Sequence, residues 1–152
     1  MKAHGEAGHV VNTASIGGLQ VNPKLRNGPY AMTKYAVVAA SEALALDLEG
    51  SHLGISVLCP AIVATTLYAS AQRRPERLGG PFGRPNTEHA KAFHAAGIPP
   101  DDVGRRVLDA VAKREFFIFT HEEPREWIEA RHQRLMAGFD SIERYNAREG
   151  GK

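Results

Sequence analysis

Three short apolar runs, at 9–13, 55–59 and 116–120, are separated by long stretches with helical patterning, and this spacing constrains the fold more than any other feature of the 152 residues. Strands joined by tight turns pair antiparallel. Strands separated by a helix return in the same direction, because the crossover carries the chain back along the sheet. Strand, helix, strand, helix, strand therefore predicts an α/β chain with three parallel strands and crossover helices.

The first helix is expected over 28–50, with Pro29 near its start and Gly50 as its stop. Val37, Val38, Leu44, Leu46 and Leu48 cover more than one stripe of it, so it should pack on two faces. One face would meet the sheet and the other a neighbouring helix or subunit, which points to a homo-oligomer formed through helix 28–50. Residues 66–100 are uneven, rich in glycine and proline, with short helices expected at 67–72 and 88–95. An amphipathic helix follows at 99–113, with Val103, Val107, Leu108 and Val111 on one side. A charged helix is expected at 124–148, where Trp127, Ile128, Leu135, Met136, Phe139 and Ile142 read as packing positions.

The chemistry concentrates at three residues. Tyr30 and Lys34 are four apart on the first helix and so share a face. Ser15 is expected to end the first strand, which reads as short and buried. A phenol titrates near pH 10, too high for a base at neutrality, and a fixed ammonium beside it favours the phenolate. Phenol, cation and hydroxyl together are what a carbonyl/alcohol redox site needs to move a proton. Against this, Tyr and Lys at such spacing are in many helices only a solvated pair, and a Ser at a strand end is ordinary.

The ordered company of these residues resembles the short-chain dehydrogenase/reductase family. Asn12-Thr13-Ala14-Ser15 is similar to its Asn-x-x-Ser pattern, Tyr30-Ala31-Met32-Thr33-Lys34 to its Tyr-x-x-x-Lys, and Pro60-Ala61-Ile62-Val63-Ala64-Thr65 to its Pro-Gly-x-Val-x-Thr. The resemblance covers about 9–120. It implies Ser15, Tyr30 and Lys34 as catalytic residues, and Tyr30, Lys34, Pro60, Val63 and Thr65 as contacts for NAD or NADP. It also implies hydride transfer between the nicotinamide and a small-molecule ketone or secondary alcohol, with 66–100 as the substrate lid. Ala61 in place of the usual Gly tightens the backbone beside the nicotinamide, and the loop at 16–27 is slightly long.

The family's glycine-rich turn, where a pyrophosphate meets a helix N-terminus, has no match here. Gly79 to Gly83 comes nearest, but it follows no expected strand and is interrupted by Pro81. The residue that would choose NAD or NADP is absent with it. Residues 1–8 look like the tail of a preceding helix, so Met1 reads as internal. The chain is expected to be a single, incomplete Rossmann-like domain over 1–152, the C-terminal half of a doubly wound fold, and inactive when isolated. Two further readings stay open. One is a non-catalytic remnant acting as an interaction or self-associating module; the other is a chain complemented by a separate half.

Composition excludes little beyond this. Hydrophobic content of 43% and charged content of 24% are ordinary for a soluble globular protein. A net charge of +2 with interspersed signs argues against nucleic acid. Arg73, Arg74, Arg77 and Arg84 read as a solvated loop. No apolar run reaches the ~18 to 20 residues that span a bilayer, no signal pattern is present, and cytoplasm is the default. Cys59, the single cysteine, excludes an internal disulfide and reads as a small buried side chain. The histidines show no metal spacing, so no metal is expected.

Overall fold

A computed structural model describes residues 1, 3, 5–22, 25, 27–83 and 87–150. Three strands, β1 (Gly8–Thr13), β2 (Leu53–Cys59) and β3 (Phe117–Phe119), form one sheet in the order β1-β2-β3. Both pairings are parallel, with Val10 opposite Ile55 and Leu58 opposite Ile118. The strand-and-helix spacing predicts this topology. The third strand is shorter than the apolar run suggested, because only 117–119 find a partner on β2.

α1 (Gly28–Asp47) connects β1 to β2, and α3 (Pro100–Ala112) precedes β3. The sheet's pleat divides the core between them. On the α1 face, Val57 and Cys59 pack with Ala14 and Val38, and Ile55 with Leu48 and Leu53. On the α3 face, Leu58 and Ile118 pack with Ala110, flanked by Val103 and Val107. β2 is largely apolar because both of its faces are covered, and its one polar side chain, Ser56, is buried as well. Beyond β2 come a 3-10 turn at Leu67–Arg73, another at Glu76–Leu78, and α2 (Thr87–Ala95).

Four expectations need correction. α1 ends at Asp47, and Gly50 lies beyond it in the left-handed region (φ 71), so it shapes the turn and not the last helical residue. The described residues before β1 carry a 3-10 position at Ala3 and no α-helix. β1 stops at Thr13 with none of its residues buried, so Ser15 does not end the strand and instead caps the 3-10 turn Ile16–Gly18; Gly79 (φ 98) and Gly80 (φ 68) close a 3-10 turn, in keeping with their reading as a loop.

The largest correction concerns α4 (Pro124–Glu149). Past Ile128, which is half-buried, its apolar residues stay exposed: Leu135 is 49% exposed, Phe139 62% and Ile142 49%. Only Pro124 is buried there, and every residue from His132 to Gly150 is exposed. The apolar spacing was real, but the surface it fits is not among the described residues. The expectations resting on Lys2, His4, Pro23, Lys24, Arg26, Arg84 and Pro85 lie outside the described residues.

Candidate active site

The candidate site gathers where β1 ends. Past Thr13 the backbone stays tied to β2, with Ala14 donating to the Leu58 carbonyl at 2.8 Å and Ile16 to the Pro60 carbonyl at 3.0 Å. Ser15 is held between these two anchors in an extended conformation and starts the 3-10 turn Ile16–Gly18. Its hydroxyl accepts from the Gly17 N–H at 3.1 Å and lies 3.5 Å from the Pro60 carbonyl. The second contact is long, so the Ser15 proton can be redirected toward a ligand oxygen.

Tyr30 and Lys34 come from the first turns of α1. Tyr30 is 40% exposed, so the phenol is reachable from outside. The position one bond out from the Gly17 Cα lies 3.4 Å from the Tyr30 ring and 3.6 Å from Ser15 Oγ, which places phenol and hydroxyl around one point. The Lys34 ammonium donates to the Thr13 carbonyl at 3.0 Å and lies 5.8 Å from the centre of the Tyr30 ring. An ammonium carries three donors, so Lys34 keeps capacity for another acceptor. The structure thus brings Ser15, Tyr30 and Lys34 to one corner.

α1 can approach this closely because Gly18 has no side chain. A Cβ there would lie 2.6 Å from the Lys34 carbonyl oxygen and 3.1 Å from Val38 Cγ2. Asn12 adds a second tie, donating to Ser41 at 3.0 Å, while Ser41 donates to the Val37 carbonyl at 2.7 Å. Sequence reasoning missed Gly18; the paired glycines after Ser15 were the available signal. It also missed the Thr13 carbonyl as a Lys34 partner, for which side-chain patterns carry none.

Cys59 lies beneath the corner, 1% exposed. Burial pushes its thiol up to about 11, against the opposing pull of the Ser15 backbone N–H and the Lys34 charge. It is a protonated packing residue, not a nucleophile.

Pro60, Val63 and Thr65 lie on the strap leaving β2. Ile98 holds the strap in place: its N–H donates to the Ile62 carbonyl at 3.1 Å, and its carbonyl accepts from Ala64 at 2.9 Å. Ala61 donates to Thr120 Oγ1 at 3.4 Å, and that hydroxyl is 2.7 Å from His121 Nδ1. Arg114 is the single non-glycine with positive φ among the described residues, so Ala61 holds its place without backbone strain. Pro60 joins the Ser15 corner through its carbonyl. Val63 and Thr65 make no hydrogen bond with Ser15, Tyr30 or Lys34 among the described residues.

Of the arginines at 73–84, Arg73 donates to Thr66 Oγ1 at 2.7 Å and Arg74 lies over the Phe82 ring at 5.6 Å. A cavity of about 720 Å³, which the sequence did not reveal, opens past β3 between α3 and α4, with Asp102, Phe119, His121 and Arg125 on its wall. Among the described residues no cluster of His, Cys, Asp or Glu could hold a metal, and no helix is long and apolar enough to cross a membrane.

Comparisons with known proteins bear on this corner. Residues 1–76 match the family model described as short chain dehydrogenase. The "CLA biosynthesis dehydrogenase/reductase" of Lactiplantibacillus plantarum is 31% identical over 137 residues, 84% of this chain and 47% of its own length. A short chain dehydrogenase/reductase from Burkholderia phymatum, solved with NAD, aligns with a TM-score of 0.82 and 33% identity over 91% of this chain and 51% of that one. A short-chain dehydrogenase from Sphingobium yanoikuyae, solved with NADPH, shares the fold at a TM-score of 0.56 and 22% identity, covering 89% of this chain and 46% of that one. The chain spans about half the length of these relatives. It belongs to the short-chain dehydrogenase/reductase family of oxidoreductases, as a partial chain with a Rossmann-like fold.

Proposed function

We propose that this member of the family is the C-terminal, catalytic half of an NAD(P)-dependent oxidoreductase acting on a ketone or secondary alcohol. The observation that carries the reading is the convergence of Ser15, Tyr30 and Lys34 at the end of β1. In this reading Tyr30 gives a proton to the nascent alkoxide or takes one from the alcohol. Lys34 stands beside Tyr30 with donors left for cofactor hydroxyls, and Ser15 orients the substrate oxygen by a hydrogen bond.

The donor set fits half of a nicotinamide dinucleotide. Lys34 has donors to spare for ribose hydroxyls, and Thr65 offers an exposed hydroxyl. Val63 offers backbone groups on a strap pinned by Ile98, and Pro60 closes the wall beside Ser15. When bound, the cofactor supplies or accepts the hydride. Residues 66–100 form the substrate lid in this reading, which excludes water on closing. The pyrophosphate contacts of a glycine-rich turn are not offered by the described residues, so the isolated chain is inactive and binds NAD(H) or NADP(H) weakly at best.

A second reading, a non-catalytic module that self-associates, is favoured by the outer face of α1, where Met32 is 73% and Leu46 69% exposed. The test joins this chain to a family N-terminal half. Tyr30→Phe should abolish turnover and leave cofactor affinity nearly unchanged, while Lys34→Ala should lower both. Full turnover in Tyr30→Phe removes the proposed acid/base. No turnover in the parent fusion, despite tight cofactor binding, favours the second reading.

A further inference from the structure

The strap that leaves β2 begins with a peptide unit addressed to two neighbours at once. Val57 donates to the Phe116 carbonyl at 2.7 Å, toward β3, whereas the carbonyls of Leu58 and Pro60 accept from Ala14 and Ile16 on the other side. Alternate residues of a parallel strand address alternate neighbours. The N–H groups of residues 57, 59 and 61 therefore point toward β3, and the carbonyls of 58 and 60 toward the Ser15 corner. A trans peptide carries its C=O and N–H in opposite directions, and the Pro60–Ala61 unit is trans. Its carbonyl takes the Ile16 N–H at 3.0 Å and stands 3.5 Å from Ser15 Oγ.

The other end of this unit meets a side chain. β3 stops at Phe119, and the Ala61 N–H goes to the Thr120 hydroxyl at 3.4 Å, its one acceptor among the described residues. A bond of that length depends on how the oxygen is aimed. The hydroxyl has one proton and two lone pairs, and among the described residues that proton has one acceptor, His121 Nδ1 at 2.7 Å. Donation to the ring turns a lone pair to Ala61 and strengthens it as an acceptor. The rest of the strap is seated independently. Ile62 and Ala64 are tied to Ile98 at 3.1 and 2.9 Å, and a Cβ on Gly97 would lie 2.7 Å from the Ile62 carbonyl, so backbone rests on backbone there.

We propose that Thr120 is a positioning residue for Ser15. By holding the Ala61 N–H it fixes the tilt of the Pro60–Ala61 peptide and keeps the Pro60 carbonyl on Ile16, away from full contact with Ser15 Oγ. The Ser15 proton then stays available to a substrate oxygen. Without the tie the peptide tilts, and the Pro60 carbonyl closes on Ser15 and takes that proton. The inference rests on the reading of Ser15 as the hydroxyl that orients the substrate.

The test uses this chain fused to a family N-terminal half that binds NADH, with a ketone that the parent fusion reduces. Thr120→Val keeps the shape and removes the hydroxyl. It should lower kcat about three- to tenfold, the effect of one lost hydrogen bond, and leave the Kd for NADH unchanged because Ile98 seats the rest of the strap. Thr120→Ser should restore kcat. In a Ser15→Ala background Thr120→Val should cost nothing further, since Thr120 acts through Ser15. Amide exchange at Ala61 should quicken in Thr120→Val and not in Thr120→Ser, with Val57 equally protected in both. Parent-like kcat in Thr120→Val overturns the proposal. So does an equal loss in the Ser15→Ala background, a weaker Kd for NADH with kcat kept, or unaltered exchange at Ala61. A parent fusion that binds NADH and reduces no ketone removes the reading of Ser15 and this inference with it, whereas a working parent with any of the other outcomes removes this inference alone.

Discussion

β1 and β2 are neighbouring parallel strands of similar length, yet they end in different states. Six of the seven β2 residues are buried, while none of the six in β1 is. β2 has a strand on each side and a helix on each face; among the described residues β1 has a strand partner on one side only. Position in the sheet and composition act together, because β2 carries Leu53, Ile55, Val57, Leu58 and Cys59 where β1 carries only Val10 and Val11 as apolar side chains. The difference matters for function because the candidate catalytic corner is built on the open strand. Ser15 follows β1, and Lys34 is anchored on the carbonyl of its last residue, Thr13.

The largest test of this contrast is a charge placed in each strand. Val57 is 0% exposed, and an isolated carboxylate there would cost more than the ~5 to 15 kcal/mol that a domain has to spare. Val57→Asp should leave no cooperative unfolding transition. Val10→Asp, half-buried on the edge strand, should keep one at a lower denaturant midpoint. Equal loss of structure in both would mean that β1 is as enclosed as β2.

Next in size is Gly18→Ala. The added methyl meets the Lys34 carbonyl, which is backbone and cannot swing aside, so the turn and α1 must separate. The expected loss is about 1 to 3 kcal/mol, the usual range for overpacking. An unchanged urea midpoint would show that α1 can move off the turn at no cost.

Amide exchange then separates the two edges of β1 residue by residue. Ala14 donates to Leu58 on β2, and alternation sends the amides of Val10 and Asn12 the same way, while those of His9, Val11 and Thr13 point to the free edge. The first set should be protected and the second should exchange quickly. Protection of both sets at ~100 μM would show the edge covered by another chain, the outcome expected of an open strand that pairs.

The contrast also marks what could be read in the residues alone. Strand order and direction followed from the helix-length spacers between 9–13, 55–59 and 116–120, since topology leaves few alternatives. Tyr30 and Lys34 were legible because helical spacing fixes their shared face, and Ser15 because it follows an apolar run. Gly18 and the Thr13 carbonyl were not, since their roles lie in close approach and in backbone direction, which side-chain patterns do not encode. The α4 residues were read as apolar packing positions, but an apolar stripe says that a covering surface is needed and not where it resides. Phe139 could be assigned to an interior by pattern and still be exposed in this chain.

The smallest effect lies where β1 borrows shelter from its neighbour. Ser56 donates its one proton to the Glu115 carbonyl at 2.6 Å, so the 2.7 Å contact between His9 Nε2 and Ser56 Oγ requires the hydrogen to be on His9 Nε2. Further protonation must then occur at Nδ1, which lies over Gly54. Burial, and secondarily the Arg114 charge, hold the His9 pKa below its ordinary 6.5. The folded state therefore prefers the neutral ring. That stability is complete above about pH 6.5 and is lost as pH falls through the lower folded value. The urea midpoint should drop between pH 7.5 and pH 5, and drop less in His9→Gln, which cannot take up the proton. Arg114→Gly should also reduce the drop by removing the nearby charge. It should raise stability at pH 7.5 as well, by up to about 1 kcal/mol, because Arg114 holds a left-handed φ of 54 that glycine adopts freely. A pH response identical in all three proteins would place the titrating group elsewhere and leave β1 tied to β2 by its backbone alone.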